Sequence, residues 1–426
     1  MKKSIRKAHA VLILLCGACS LIAFVGCEND LTDYLFKNLF YEGWKVSSWS
    51  EAIPVVEGET HLQGPDKRNG FPMNMVMGSN GKIHLIGWRV SAFEWVYTTR
   101  EPGAEGFEQV YTPLSVGSNP DGLVVTPGID LISDDVPYIV YGSNNFLWFQ
   151  EYSAVSGWRP REQLCDAGVA IPQAFVFFLI SDFKIHLFYV TDNMEMYHTV
   201  RIGSGTISPD PPDLFIDDIS LAWAQRIGGN DVAFVYTDSS SQNLYYRTLT
   251  DGSAESIWSV PDPSLGIGGI SAAFDSNGKL HVVCSTLKTS DPLNILYYTY
   301  HYFRNTDGTW KERERIEGDE NTAPLAFFGP PSIDIAPDRH GNDRLHMAYT
   351  MYTPPANFAI WYAFYDEAEG WQISPESVDT AHTNSFWTFP LLAVDPEGIV
   401  HIVYAWTQTE LDRTMMYVRG IPEEWQ

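Results

Sequence analysis

The sequence predicts an all-β protein: a seven-bladed β-propeller of four-stranded antiparallel blades, its ring closed by an N-terminal strand. Three observations predict it. A segment made of a polar turn, a histidine and an alternating apolar run recurs along the chain. Each recurrence lies in a unit with the same order of four short strands. The last unit stops after three strands, while an unused strand stands near residue 50.

The recurring segment reads "FDSNGKLHVVCST" at Phe274–Thr286. It returns as "GSNGKIHLIGW" (Gly78–Trp88), "ISDFKIHLFYV" (Ile180–Val190), "PDRHGNDRLHMAYT" (Pro337–Thr350) and "VDPEGIVHIVYAW" (Val394–Trp406). Two copies lack the histidine: "LISDDVPYIVYG" (Leu131–Gly142) and "RIGGNDVAFVYT" (Arg226–Thr237). The aligned positions are His84, Tyr138, His186, Ala233, His281, His346 and His401. They lie roughly fifty residues apart, a period that marks a propeller or another repeat array.

Within each unit an apolar strand comes first, as in "GGISAAF" (Gly268–Phe274). A turn rich in Asp, Asn and Gly follows, which is hairpin chemistry. The histidine strand is next, then a variable polar loop. An aromatic third strand follows, as in "LYYRT", "IWYAFY" and "MMYVRG". A second turn precedes Trp158, Trp310 or Trp371, and a short fourth strand ends the unit. Four short antiparallel strands per unit make a propeller blade.

Closure follows from the ends. The seventh unit lacks a fourth strand, unless Trp425 begins one. "WSEAIPV" (Trp49–Val55) has the same six-residue spacing from Trp to an aliphatic as Trp158–Leu164 and Trp310–Ile316. Its insertion would seal the ring and remove open sheet edges. The long apolar run Ala174–Val190 is interrupted by Ser181, Asp182 and Lys184, so it reads as two strands around a hairpin and not as a membrane span.

Residues 1–26 read as a secretory leader. Lys2, Lys3, Arg6 and Lys7 precede an apolar stretch that ends at Cys27. "FVGC" (Phe24–Cys27) resembles the bacterial lipobox, in which the cysteine is diacylated; Cys19 is a poorer match. The expectation is an exported protein anchored to a membrane by lipidated Cys27, with a tether over 27–43 and the propeller over 44–426. The whole chain carries a formal charge of −26, and losing four leader cations makes it −30. Nucleic acid is therefore not an expected partner, because phosphate binding needs basic patches. Cys165 and Cys284 remain, in a compartment that permits a disulfide; Cys284 lies in an apolar strand, which favours two separate buried thiols.

The repeat pattern "D-x-x-G-x-x-H-x-x-Y … L-Y-Y … D-G-x-W" resembles that of sialidase-like (BNR-type) β-propellers, over nearly all of the mature chain. The resemblance implies the fold; that fold hosts hydrolases, lyases, lectins and scaffolds. The nearest match to the sialidase Asp-box is "TDGTW" (Thr306–Trp310), one residue short between Asp and Gly. The arginine-bearing Phe-Arg-Ile-Pro motif is absent, and "RNGFP" (Arg68–Pro72) has only similar residue types. The resemblance is to degenerate, non-sialidase relatives.

A catalytic residue is needed once, not five times around a ring. The repeated histidines are therefore expected to brace the hairpin, bonded to backbone or to a turn carboxylate. Asp275, Asp338 and Asp395 are expected to accept turn amides. His198, His301 and His382 lie outside the repeated position and are the better catalytic candidates. Function is expected in the variable loops, which a rigid scaffold gathers on one face. The candidates for ligand binding are Trp88, Arg89, Tyr352, His382, Asn384, Trp387, Trp406 and Arg413. Aromatics beside Asn, Thr and Arg suit stacking on a sugar ring, and suit a protein hot spot equally. No metal site and no cofactor are expected. The leading expectation is non-catalytic binding of a glycan or protein at the cell envelope. The alternative is a carbohydrate-active enzyme, a glycoside hydrolase or polysaccharide lyase, with its site in the central cleft. The anchor is open to direct test: Cys27→Ser is expected to abolish labelling by a palmitate analogue, and unchanged labelling would refute the assignment.

Overall fold

The structure is a computed structural model. It leaves undescribed residues 1–45, 56–73, 90–93, 109–110, 116–126, 134–135, 144, 154, 181, 203–205, 289–297, 312–313, 317–326, 338–341, 354–356, 368–369, 375–376, 383–389, 408–412 and 423–426. Residues Val46–Trp425 form one compact unit. The described residues fold into seven small antiparallel sheets arranged as a ring, the predicted seven-bladed propeller.

Blade 1 holds Asn74–Met77, Ile83–Arg89, Glu94–Arg100 and Tyr111–Ser115. Blade 2 holds Gly128–Leu131, Pro137–Ser143 and Phe146–Ser153, with Gly157–Trp158 and Glu162–Asp166 both on the outer edge. Blade 3 holds Gln173–Leu179, Lys184–Val190, Met196–Ile202 and Thr206–Ile216, so the long apolar run is a hairpin. Blade 4 holds Ala222–Ile227, Asp231–Thr237, Asn243–Thr248 and Glu255–Ser259. Blade 5 holds Leu265–Phe274, Leu280–Lys288, Tyr298–Arg304 and Glu314–Arg315. Blade 6 holds Phe327–Pro337, Asp343–Thr353, Asn357–Asp366 and Gly370–Ile373.

Blade 7 takes Leu391–Val394, Val400–Thr407 and Arg413–Pro422 from the C-terminal end. Its outer edge comes from the N-terminal side. Val46–Trp49 and Ile53–Pro54 pair antiparallel with Arg413–Pro422, Trp49 opposite Gly420 and Ile53 opposite Tyr417. The closing strand is broken in two, as it is in blade 2, where Trp158 pairs with Tyr152 before pairing resumes at Glu162 opposite Phe149. The gap there holds Pro160, which has no N–H to donate.

The core lies between blades. Val140, Phe149, Val176 and Leu187 join blades 2 and 3. Val235, Leu244, Ile270 and Val282 join blades 4 and 5. Leu85, Val96, Val403 and Tyr417 join blade 1 to blade 7 and so carry closure. Cys165 and Cys284 are buried in different blades and are not joined to each other by a disulfide.

The five repeated histidines are all buried. Each reaches the third strand of its own blade through Nδ1. The partners are Tyr97 Oη at 2.6 Å from His84, Tyr362 Oη at 2.7 Å from His346 and Tyr417 Oη at 2.7 Å from His401. For His186 and His281 the partners are His198 Nε2 at 3.1 Å and His301 Nε2 at 3.0 Å. Nε2 of His186 and His401 faces a turn carboxylate, Asp182 at 3.1 Å and Asp395 at 3.3 Å. A carboxylate accepts, so Nε2 carries the proton there and Nδ1 accepts. Asp275 and Asp395 also accept two backbone amides each from their turns. Asp338 lies outside the described residues. His198 and His301 are thus not free catalytic groups but the third-strand halves of this brace.

Where the histidine is missing, blade 2 pairs Tyr138 with Phe149, ring centroids 5.5 Å apart, while blade 4 has Ala233 and keeps a tyrosine, Tyr246, at the third-strand position. The next blade then covers the third-strand ring edge-on. Trp158 meets Tyr97 at 5.0 Å, Trp371 meets His301 at 5.4 Å, Trp49 meets Tyr362 at 5.2 Å and Phe107 meets Tyr417 at 5.2 Å. Such aromatic pairs contribute about 0.5–1.5 kcal/mol each beyond the area they bury.

Burial favours the neutral form of four imidazoles in these braces: His198, His301, His346 and His401. It lowers His346 from the ordinary 6.5 to about 3, with the Arg344 charge adding to the effect. It lowers His198 to about 4, His186 adding to it. His301 and His401 are lowered too, burial leading in both. The folded pKa lies below the unfolded one, so the unfolded chain binds the extra proton. This stability is complete above about pH 6.5 and is lost as the pH falls toward the folded values. Asp130 and Asp334, raised by burial and the latter to about 6, act in the opposite sense. Comparison with His346→Gln isolates the histidine: between pH 6 and pH 4 the wild type is expected to lose up to about 1.4 kcal/mol more per pH unit in denaturant titrations. Parallel pH profiles would contradict the assignment.

Candidate functional site

The ring has two distinct faces. On one, the turns between first and second strands of neighbouring blades touch: Ser276 donates to Asp343 at 2.6 Å, and the Ile180 amide to Gly229 O at 2.9 Å. The turns between third and outer strands share that face, because strands alternate in direction. The opposite face carries the second-to-third-strand loops and the links between blades. There Gln242 Nε2 donates to Leu265 O at 2.8 Å, and the Ile219 amide to Met194 O at 2.9 Å. The described candidates from the variable loops belong to this loop face.

The best-defined group on the loop face lies where the chain leaves blade 6 for blade 7. The Val378 amide bonds Ile360 O at 2.9 Å, which fixes the link against blade 6. The next residue, Asp379, is buried. Its Oδ1 accepts the Ala381 amide at 2.9 Å and the His382 amide at 3.2 Å, so the link wraps around its own carboxylate. Oδ2 accepts from His382 Nδ1 at 2.7 Å and from the Tyr404 hydroxyl. Tyr404 is fully buried in the second strand of blade 7. One carboxylate thus ties the link to the blade that follows it. Burial first, and the Asp379 charge second, raise the Tyr404 phenol far above its usual range, so it stays a donor.

This bracket holds an aromatic corner. The His382 ring meets Trp406 edge-on, with centroids 4.6 Å apart and planes at 71°. The His382 side chain is 24% exposed and Trp406 is half-buried. With Nδ1–H directed at Asp379, Nε2 is the ring's remaining polar atom, and no described residue bonds it. The corner offers an apolar indole beside an oriented nitrogen, and it is held rigid by a buried carboxylate.

Of the predicted residues, His382 and Trp406 are brought together here. Trp88, Arg89, Tyr352 and Arg413 are described in backbone only, at the loop-face ends of their strands. Asn384, Trp387 and Cys27 lie outside the described residues. Asp379 and Tyr404 were missed by sequence reasoning. Asp379 opens the loop that drew attention for its aromatics, and Tyr404 falls on a position of the repeat itself, three after His401. Among the described residues no group of three or more His, Cys, Asp or Glu could hold a metal ion.

No protein-family profile matches the chain, and no curated protein matches its sequence. Solved structures share its fold. The polysaccharide lyase Uly1 superposes with a TM-score of 0.55 at 10% identity, covering 87% of this chain and 99% of the lyase. The BP39L lectin from Burkholderia pseudomallei gives 0.55 at 10% identity, covering 85% and 99%.

Removing either partner of the buried Tyr404–Asp379 bond strands the other, which costs about 1–3 kcal/mol. Tyr404→Phe and Asp379→Ala are each expected to lower stability by that amount in chemical denaturation. A loss below about 0.5 kcal/mol for both would show that the bracket is not formed.

Proposed function

We propose that this chain is an exported lipoprotein, held to a membrane by lipidated Cys27, whose propeller binds a glycan on its loop face without turning it over. The observation that carries the reading is the His382–Trp406 corner on its Asp379 bracket. A half-buried indole provides an apolar plane for the C–H face of a sugar ring. The oriented imidazole beside it bonds a hydroxyl. Because both rings are held before the ligand arrives, little ordering cost opposes binding. The kinship of fold with a lectin and a polysaccharide lyase supports a carbohydrate as the ligand.

One observation favours a second reading, a polysaccharide lyase or glycoside hydrolase. A histidine whose Nδ1–H is held by a carboxylate presents Nε2 as an oriented base. Tyr404 cannot be its partner in proton transfer, since it is buried and bonded to the same carboxylate.

A glycan array probed with the propeller, followed by titration of the hits, separates the two. Trp406→Ala is expected to weaken binding at least about tenfold, roughly 1.4 kcal/mol, with the unfolding midpoint nearly unchanged. No hits, or hits indifferent to Trp406→Ala and His382→Ala, would overturn the binding reading. Depolymerisation that His382→Ala abolishes would install the enzymatic one.

A further inference from the structure

Seven large hydrophobic side chains are exposed among the described residues, and five of them belong to one face of two neighbouring blades. Ile132 (39% exposed), Ile180 (54%) and Phe183 (77%) lie in the first-to-second-strand turns of blades 2 and 3. Val155 (98%) and Ile202 (44%) lie where the third strands of the same blades turn outward. The inner strands of the two blades run side by side, with Asp130 Oδ2 accepting the Phe178 amide at 3.2 Å, and both turns that follow them lie on the hairpin-turn face. Ile202 ends the strand that pairs with Lys184–Val190, one residue beyond Arg201, which lies opposite Ile185. None of these five is on the loop face.

Phe183 shows that the patch is not incidental. It stands three residues before His186. The residues three before His84, His281 and His401 are Gly81, Gly278 and Gly398, with φ of 81°, 82° and 83°. Phe183 takes the same left-handed turn at φ 56°. A side chain there strains the backbone, and a bulky one is a rare outlier. The framework turn thus exchanges an unstrained glycine for a strained phenylalanine whose ring is left in solvent, where folding gains nothing from it.

The path of the chain identifies what covers this face. Val46 pairs with Pro422, the last residue of the third strand of blade 7, and the closing strand then runs to Pro54 opposite Met416. Third strands end at the hairpin-turn face, so the chain enters the propeller there. Residues 28–45 separate that point from Cys27 and span at most about 60 Å when fully extended. The cations flanking the patch are paired with carboxylates, Lys184 with Asp182 at 3.5 Å and Arg159 with Glu151 at 3.2 Å.

We propose that the hairpin-turn face of blades 2 and 3 is a lipid-contact surface. Phe183, Ile180, Val155, Ile202 and Ile132 enter the interface of the bilayer that holds the tether, and the glycan-binding loops face away from it. This rests on the lipid anchor at Cys27, and not on the glycan reading.

The test uses the lipidated chain on vesicles of phosphatidylethanolamine and phosphatidylglycerol, with brominated acyl chains as quencher. Cys165 and Cys284 are buried, so a thiol-reactive fluorophore reports selectively from Val155→Cys on the patch or Ser240→Cys on the loop face. Quenching of at least about twofold is expected at 155 and none at 240. Adding Phe183→Asn and Ile180→Ser is expected to abolish quenching at 155 while the chain stays on the vesicles; Asn suits a left-handed turn, so folding is preserved. A lipidated chain with no quenching at 155, or with quenching at 240 instead, overturns the proposal alone. A chain that carries no lipid on Cys27 overturns the tether and the proposal together. Cross-linking of two chains through residue 155 without quenching assigns the face to a second copy and overturns it as well.

Discussion

The contact between a second-strand histidine and a third-strand ring is the interaction on which this propeller depends. It joins two strands of one blade through Nδ1, at 2.6–3.1 Å in all five instances. In four of the five it also holds the third-strand ring at the blade surface, where the following blade's Trp or Phe packs against it. One side-chain pair therefore serves both within and between blades. The last link runs from Phe107 of blade 1 to Tyr417 of blade 7, and the one before it uses Trp49 of the N-terminal strand. The contact that defines a blade is thus also the contact that closes the ring. Burial lowers the pKa of His198, His301, His346 and His401, which removes these four from proton chemistry near neutral pH.

That framework separates the two faces by topology alone. Alternating strand direction puts hairpin turns on one side and variable loops on the other. The Asp379 bracket uses the loop side, and there the link between blades 6 and 7 is bound to Tyr404. The exposed apolar turns of blades 2 and 3 use the hairpin side, where the chain also enters at Val46. Deviations from the repeat mark both places. Tyr404 is the repeat tyrosine with a carboxylate partner, and Phe183 stands where three other blades have glycine.

Much of the fold was legible because the repeat was. The seven anchors, the hairpin at Ala174–Val190 and the closing strand all follow from spacing and turn residues. The break in the closing strand was less visible, although Trp158 and Pro160 in blade 2 carry the same signal. The outer strand of blade 3, Thr206–Ile216, escaped notice because Pro209, Pro211 and Pro212 read as loop. Prolines are tolerated there because the strand lies at the sheet edge. The histidine brace was half visible. The turn carboxylates lie four to six residues away along the chain, but the third-strand partner sits two residues off the cross-strand register and alternates between Tyr and His. His198 and His301 therefore looked like unique histidines. Of the site, His382 and Trp406 were legible as loop aromatics; the carboxylate that orients them was not, because its partner Tyr404 was hidden inside the repeat.

The account turns on the brace being a real energetic coupling and not a coincidence of packing. A double-mutant cycle on His401 and Tyr417 measures it directly, using His401→Ala, Tyr417→Phe and the double variant in denaturant titrations. The pair is hydrogen-bonded and in contact, so a coupling free energy of about 0.5–3 kcal/mol is predicted. Strictly additive losses, with coupling indistinguishable from zero, would contradict it.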